Sequence, residues 1–272
     1  MNFTSHRAIA EYVGDFFLKP EDLENFVQGS TLPDECDDIM VKVGATWKTR
    51  FGPYALCSLT HFAGVSEGRI YGYCFGHDGA IAEVGLGIGE IKTRLALDPG
   101  SRVWRWKKIP HPLDEILRLK GVNSKKLSTI TFPSSAAMCR HYQRLMEVDA
   151  LEADVFHRLL GCAAHMAMDA CVPQHVMCTL GKGHAAFEGE IDDLIRAKGS
   201  AVLHQAWKAS GESARSIAKY DFDDLYSMIQ FAAERTLASG ASVTPYVALV
   251  NGMGWTAALC RSQYGQFAGP IT

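Results

Sequence analysis

The sequence predicts a mainly α-helical fold: a helical bundle with a loop- or strand-containing insertion at about 66–130. Three observations predict it. Apolar residues recur at helical spacing near the N-terminus and through most of the C-terminal half. Proline falls at the boundaries of those segments, as at Pro33 and Pro173. Between them the helical period lapses, in "GRIYGYCFGHDGAIAEVGLGIGEIKTRLAL", where glycine alternates with β-branched and aromatic residues.

The elements follow in order. Residues 4–18 set Ile9, Val13, Phe16 and Phe17 at helical spacing behind Thr4 and Ser5, both suited to an N-cap. Residues 20–28 form a second, short helix. "GSTLPDECDD" is a turn around Pro33, and a further helix is expected to run to about Arg50. From 66 to 110 the chain reads as loops with a few strands. Helices resume at 112–120 and 134–147, and the clearest cover 150–171, 184–209, 221–239 and 243–263. No repeat, low-complexity tract or linker interrupts residues 1–272, so a single domain is expected.

Whole-chain properties narrow the function. At 272 residues the chain can bury a substantial core. A formal net charge of −3 means that overall charge does not draw in a polyanion, so any phosphate recognition is local. The N-terminus lacks the basic-then-apolar order of a signal peptide. The best membrane candidate, "TPYVALVNGMGWTAALC", is short and carries Pro and Gly. A cytoplasmic location is expected. Cys36, Cys57, Cys74, Cys139, Cys162, Cys171, Cys178 and Cys260 form no CxxC pair and read as reduced thiols, which argues against a Cys-rich zinc site. Cys36 and Cys171 lie near the candidate ligands described next, and both read as small buried apolar residues.

The chemistry is concentrated in "HMAMDACVPQHVMCTLGKGHAAFEGE", residues 165–190. His165 and Asp169 are four apart on a helix that Pro173 ends, so they share a face and can hold one cation. His184 and Glu188 repeat the spacing at the start of the next helix, and His175 lies between the pairs. Either pair alone is more simply an intrahelical hydrogen bond. Together they suit two neighbouring metal centres on facing helices, each taking imidazole and carboxylate.

This segment resembles the signature of the zinc-dependent phospholipases C and the fungal and plant single-strand nucleases. That signature reads H-x3-D-x5-H, with Pro two residues before the last His, then H-x3-E or H-x3-D. His165, Asp169, Pro173, His175, His184 and Glu188 match it, across a gap from His175 to His184 that is short for the family. "FTSHRAIAEYV" places His6, "GSTLPDECDD" is similar to the family's G-S-x-x-P-D turn at Asp34, and "LTHFAG" matches its T-H-F element at His61. The likeness covers about 1–62 and 150–195, and the "GSxxPD…THF" start looks more like the bacterial phospholipase C branch.

The resemblance implies a helical bundle with a trinuclear zinc cleft. Asp34, His61, His165 and Asp169 then hold one zinc, His175, His184 and Glu188 a second, and His6 and Asp169 a third, with Asp169 bridging. It implies hydrolysis of a phosphoester or phosphodiester by zinc-activated hydroxide, with Asp34 also serving as general base. Secreted members complete the third site with the amine of an N-terminal Trp. Met1 here precedes His6 at the spacing of the nuclease branch, and the bulky Asn2 favours retention of Met1. Completion by the Met1 amine and a weaker third site both stay open, so two or three zinc ions are expected.

The remaining motifs are weaker. "GHDG", with His77 and Asp78, resembles the His–Asp doublet of another phosphohydrolase class, but its flanking glycines make a loop turn the simpler reading. "VGLGIGEIKTR" lacks the Lys–Ser/Thr of a phosphate loop. His111, His141, His157 and His204 have no partner pattern. In "SRVWRWKKIPH", Trp104 and Trp106 interleave with Arg102, Arg105, Lys107 and Lys108. The plain reading is a strand with one buried face. As part of a lid over the cleft, Trp104 instead meets the organic part of the substrate and Arg105 its anionic part.

The substrate expected from all this is a phospholipid head group or a small soluble phosphodiester. A single-strand nuclease or nucleotidase is the rival enzyme. A di-iron or di-manganese helical protein and a non-catalytic, metal-stabilised scaffold remain as alternatives.

Overall fold

A computed structural model describes residues 1–35, 40–43, 46–48, 61, 65–66, 69–70, 81–88, 91–96, 135–177, 183–217 and 224–264. These residues are mainly helical, as the sequence predicts. In chain order the helices are α1 (Phe3–Gly14), α2 (Pro20–Gly29), α3 (Leu32–Glu35), α4 (Ser135–Met146), α5 (Ala153–Asp169), α6 (Pro173–Val176), α7 (His184–Lys198), α8 (Ser200–Ile217), α9 (Leu225–Ser239) and α10 (Pro245–Tyr264). No described helix is long and apolar enough to cross a membrane.

The central helix is α5. Its sequence from Leu159 to Asp169 is buried without interruption, the mark of a helix enclosed on all sides rather than lying on a surface. It packs against α2, α4 and α10. α1 turns Ser5, His6, Ile9, Ala10, Val13 and Gly14 inward, a stripe at helical spacing, and rests on α2, α7 and α10. α2 begins with Pro20 in its first turn, followed by Glu21 and Asp22, whose charge suits the positive end of the helix dipole.

Two glycines set how closely α2 and α5 approach. A Cβ on Gly161 would meet the Phe26 carbonyl oxygen at 2.1 Å, and one on Gly29 would meet the Arg158 carbonyl oxygen at 2.1 Å. The two backbones therefore touch, and the carbonyl at the end of α2 reaches into the side chains of α5.

Two expectations are corrected. The helix expected to run to about Arg50 ends at Glu35, and the chain then forms strands β1 (Met40–Val43) and β2 (Thr46–Lys48). Val41 and Val43 of "MVKV" are β-branched, and the segment is only two residues from "TWK", a spacing that suits a hairpin. The strands expected later are present: β3 (Val65–Ser66), β4 (Arg69–Ile70), β5 (Ile81–Ile88) and β6 (Ile91–Ala96). One antiparallel sheet has the order β2-β1-β5-β6, with Val41 opposite Val84 and Gly85 opposite Arg94, and β3 pairs with β4. Within the Gly-rich "VGLGIGEIKTR", residues 84–88 and 91–94 are thus strand. Secondly, the helix expected over 184–209 is two helices, α7 and α8, broken at Gly199, whose φ of +55° favours glycine. The helix expected at 112–120 lies outside the described residues.

Gly161→Ala should destabilise the fold by about 2–3 kcal/mol, because its methyl meets backbone that cannot give way locally. Gly189→Ala, on α7 with nothing within 4 Å of an added Cβ, should stabilise it by about 0.5–1 kcal/mol. Denaturant midpoints of the two variants check both signs.

Candidate metal centre

Eight side chains predicted from the sequence meet in one place. His6 comes from α1, Asp34 from α3, His165 and Asp169 from α5, His175 from α6, and His184 and Glu188 from α7. His61 joins them. Donor atoms fall into three groups in which each lies within 4.8 Å of the others: His6, His165 and Asp169; Asp34, His61 and His165; and His175, His184 and Glu188. Trp104 and Arg105 lie outside the described residues, as do His77, Asp78 and Cys36.

Asp169 is the hub. Its side chain is fully buried, with Oδ1 at 2.5 Å from the Met1 amine and 3.1 Å from His6 Nε2. Its Oδ2 lies 3.2 Å from His165 Nε2 and 3.5 Å from both His61 Nδ1 and His175 Nδ1. The second focus is Glu188 Oε1, at 2.9 Å from His175 Nε2, 3.2 Å from His184 Nε2 and 2.9 Å from the Met1 amine. Met1 thus joins the two foci, and its side chain packs beside Gly252 of α10, with Ile9 and Met168 against the same glycine. Cys171 is not among the donors. It is buried, and its thiol donates to the Ala167 carbonyl.

Three histidines have their tautomers fixed by backbone. A carbonyl only accepts, so the ring nitrogen facing it carries the proton. His165 Nδ1 donates to Ser30 O at 2.8 Å, His61 Nε2 to Pro33 O at 3.2 Å and His175 Nδ1 to His61 O at 3.2 Å. In the neutral ring the other nitrogen of His165 then offers its lone pair beside Asp169 and Asp34. That of His61 faces the same two carboxylates, and that of His175 faces Glu188 and His184. Metal-binding histidines are held in this way, one nitrogen on a carbonyl or carboxylate and the other on the ion.

The fit to a cation is tested by the atoms left over. His165 Nε2 and Asp169 Oδ2 are buried and make no hydrogen bond of acceptable geometry, although they lie 3.2 Å apart. His175 and His184 bring two ring nitrogens to 2.9 Å of one another on the same carboxylate oxygen. Two buried carboxylates, Asp169 and Glu188, share a single ammonium, and buried charge of this kind requires compensation. One or more cations bound by these donors meets each requirement. The cluster opens towards solvent at Asp34, whose side chain is 27 % exposed, and closes at His165 and Asp169.

The electrostatics follow from burial and mutual charge. Burial opposes ionisation of Asp169, but His175, the Met1 amine, His165 and His6 outweigh it and hold the carboxyl well below its ordinary range. Asp34 is likewise held low by His165, His6 and His61 against its own burial, and Glu188 by the neighbouring imidazoles of His175 and His184 and by the Met1 amine. Burial, aided by His165, pushes His61 down to about 3. Burial also pushes His175 down, whereas Asp169 and Asp34 overcome burial and raise His165. The Met1 amine is raised to about 10, because Asp169 and Glu188 overcome its burial.

Sequence reading missed the carbonyls of Ser30, Pro33 and His61, since a backbone acceptor has no residue-type signal. It also missed Asp192, which continues the His184–Glu188 spacing by one more turn. Of the unassigned histidines, His157 is buried with Nδ1 3.2 Å from Asp22 Oδ1, and His204 Nδ1 pairs with the Tyr12 hydroxyl at 3.1 Å. Comparison with family models, with curated proteins and with solved structures finds no match.

The His61 shift gives a pH test on metal-free protein. Unfolded, His61 binds a proton below about pH 6.5. Folded, it binds one only near pH 3. The contribution of His61 to folding stability should therefore fall as pH drops from about 6.5 towards 3, with a slope of about 1.4 kcal/mol per pH unit. Chemical denaturation of His61→Gln between pH 6 and 4 should show a slope shallower by that amount.

Proposed function

We propose that this chain is a zinc-dependent hydrolase of phosphoesters or phosphodiesters. One observation carries the reading: three carboxylates and five imidazoles converge in one cluster, buried except at Asp34 and His184, with backbone carbonyls fixing three of the rings so that a lone pair faces inward. The match of these same residues to the zinc phospholipase C and single-strand nuclease signature supports it.

Zinc is favoured by the donors. Five imidazoles to three carboxylates, with no thiolate among the described residues, make a nitrogen-rich site. Di-iron and di-manganese bundles instead draw a Glu from each of several helices and pair Glu with His three residues on. Here the helical pairs are His165–Asp169 and His184–Glu188, four apart and His first. Asp34, His61, His165 and Asp169 would hold one ion, His175, His184 and Glu188 another, and His6 and Asp169 a third, which the Met1 amine would complete.

When bound, the ions supply Lewis acidity, lowering the pKa of water and neutralising charge on a phosphoryl oxygen. The chain's own groups do the rest. Asp34 stands at the open edge of the cluster and is ionised at neutral pH, so it can accept the proton of an attacking water. Asp169 and Glu188 stay ionised and anchor the imidazoles. The carbonyls of Ser30, Pro33 and His61 keep those rings from turning. Without cations the three carboxylates repel a phosphoester anion, so activity should depend strictly on metal. The substrate class we favour is a phospholipid head group or a small soluble phosphodiester, with single-stranded nucleic acid or a nucleotide as the rival.

His165→Ala and Asp169→Asn should each lower turnover by at least about two orders of magnitude and reduce zinc content. Glu188→Gln should remove mainly one ion, because among the described histidines it faces His175 and His184. Elemental analysis and turnover of phosphatidylcholine, short single-stranded DNA and nucleoside monophosphates check this. Zinc-loaded protein that turns over none of them would leave a metal-stabilised scaffold. Purified protein carrying iron or manganese in place of zinc would favour the bundle oxidoreductase type of site.

A further inference from the structure

We propose that Asp192 is a positioning residue of the metal centre: its carboxylate holds the first turn of α1 against α7, so that His6 and the Met1 amine face Asp169. The proposal rests on reading the cluster as a metal centre, but its first link is a contact that exists without metal.

α1 lacks the usual means of securing its start. Asn2 occupies the N-cap position yet its side chain makes no cap hydrogen bond, and no acidic residue lies in the first turn. The first N–H groups of a helix have no partner within it, and a negative charge near them is stabilising. Here that charge comes from another helix. Asp192 Oδ2 accepts from Asn2 Nδ2 at 3.0 Å, and Asp192 Oδ1 accepts from the Ser5 hydroxyl. Ser5 is fully buried and Asp192 is 8 % exposed, so water does not substitute for either contact. Among the described residues no Lys or Arg pairs with Asp192. Its charge is met by two neutral donors and the positive end of α1.

Spacing shows what this achieves. His184, Glu188 and Asp192 are successive residues on one face of α7. The first two face the cluster and the third grips α1. Asn2 and Ser5 bracket the segment that leads from Met1 to His6, and both ends of it reach Asp169: the amine at 2.5 Å and His6 Nε2 at 3.1 Å. His6 N donates to Asn2 O at 3.0 Å, the first backbone bond of α1, so a loosened Asn2 frays the turn that aims His6. Among the described residues the Asp192 side chain is hydrogen-bonded to Asn2 and Ser5 and to no candidate ligand, so it acts through the backbone of α1.

The test uses Asp192→Asn, Ser5→Ala and the exchange variant Asn2→Asp with Asp192→Asn, which puts the acceptor on α1 and the amide donor on α7. Amide hydrogen exchange is followed in metal-free protein and zinc stoichiometry in protein loaded with zinc. In Asp192→Asn the His6 amide should exchange about 5–10-fold faster, the effect of one lost helix cap, while α5 amides keep the parent's rates. Zinc content should drop by about one ion per chain, with the others kept. Ser5→Ala should do the same more weakly. The exchange variant should restore both readouts, which a general loss of packing would not allow. Parent exchange rates in Asp192→Asn would overturn the clamp. Altered exchange with unchanged zinc, or failure of the exchange variant to restore either readout, would overturn its service to the centre. A parent chain that binds no metal would defeat the functional reading instead, and the exchange result in metal-free protein would still decide the contact.

Discussion

Everything at the site depends on one carboxylate without access to water. Asp169 sits at the end of the most deeply buried helix, where burial alone would keep it protonated. It remains ionised because α1, α6 and its own helix each bring a nitrogen to it, as does His61. Removing that charge leaves the surrounding imidazoles and the Met1 amine without their common partner. Charge compensation therefore acts beside apolar packing around α5, and the His, Asp and Glu groups gathered there are positioned to hold a cation.

Backbone contact places this charge. Gly29 and Gly161 let α2 and α5 approach until their main chains touch. The carbonyl of Ser30, one residue past the close approach, then reaches His165 and fixes its ring. A side chain at either glycine would push Ser30 away from His165 and loosen the turn that carries Asp34. Packing density between two helices and the protonation of one imidazole are thus a single property of the fold. The same logic operates at α7, whose break at Gly199 confines to a short helix the face bearing His184, Glu188 and Asp192.

Much of this was legible in the sequence, unevenly. His165–Asp169 and His184–Glu188 were visible because a period of four on a helix dictates a shared face. His6, Asp34 and His61 are isolated in the sequence and were placed only through the family resemblance; the structure brings them to within hydrogen-bond reach of the others. The carbonyls that orient the rings left no trace, since every residue has one. Met40–Val43 was taken for helix because a short apolar run does not distinguish the two periods, and Gly199 was passed over because helical spacing continues on both sides of it. Asp192 continues the spacing of His184 and Glu188 by one turn, but its partners on α1 lie 187 and 190 residues away in the sequence.

The most direct test of the account is zinc-edge X-ray spectroscopy on protein purified without added metal, read together with elemental analysis. Two or three zinc ions per chain are predicted, in a shell of nitrogen and oxygen at about 2.0–2.1 Å without sulfur. The shell should lose nitrogen in His165→Ala. Folded protein that holds no metal, or holds zinc through sulfur, would contradict the claim that these imidazoles and carboxylates are built around cations.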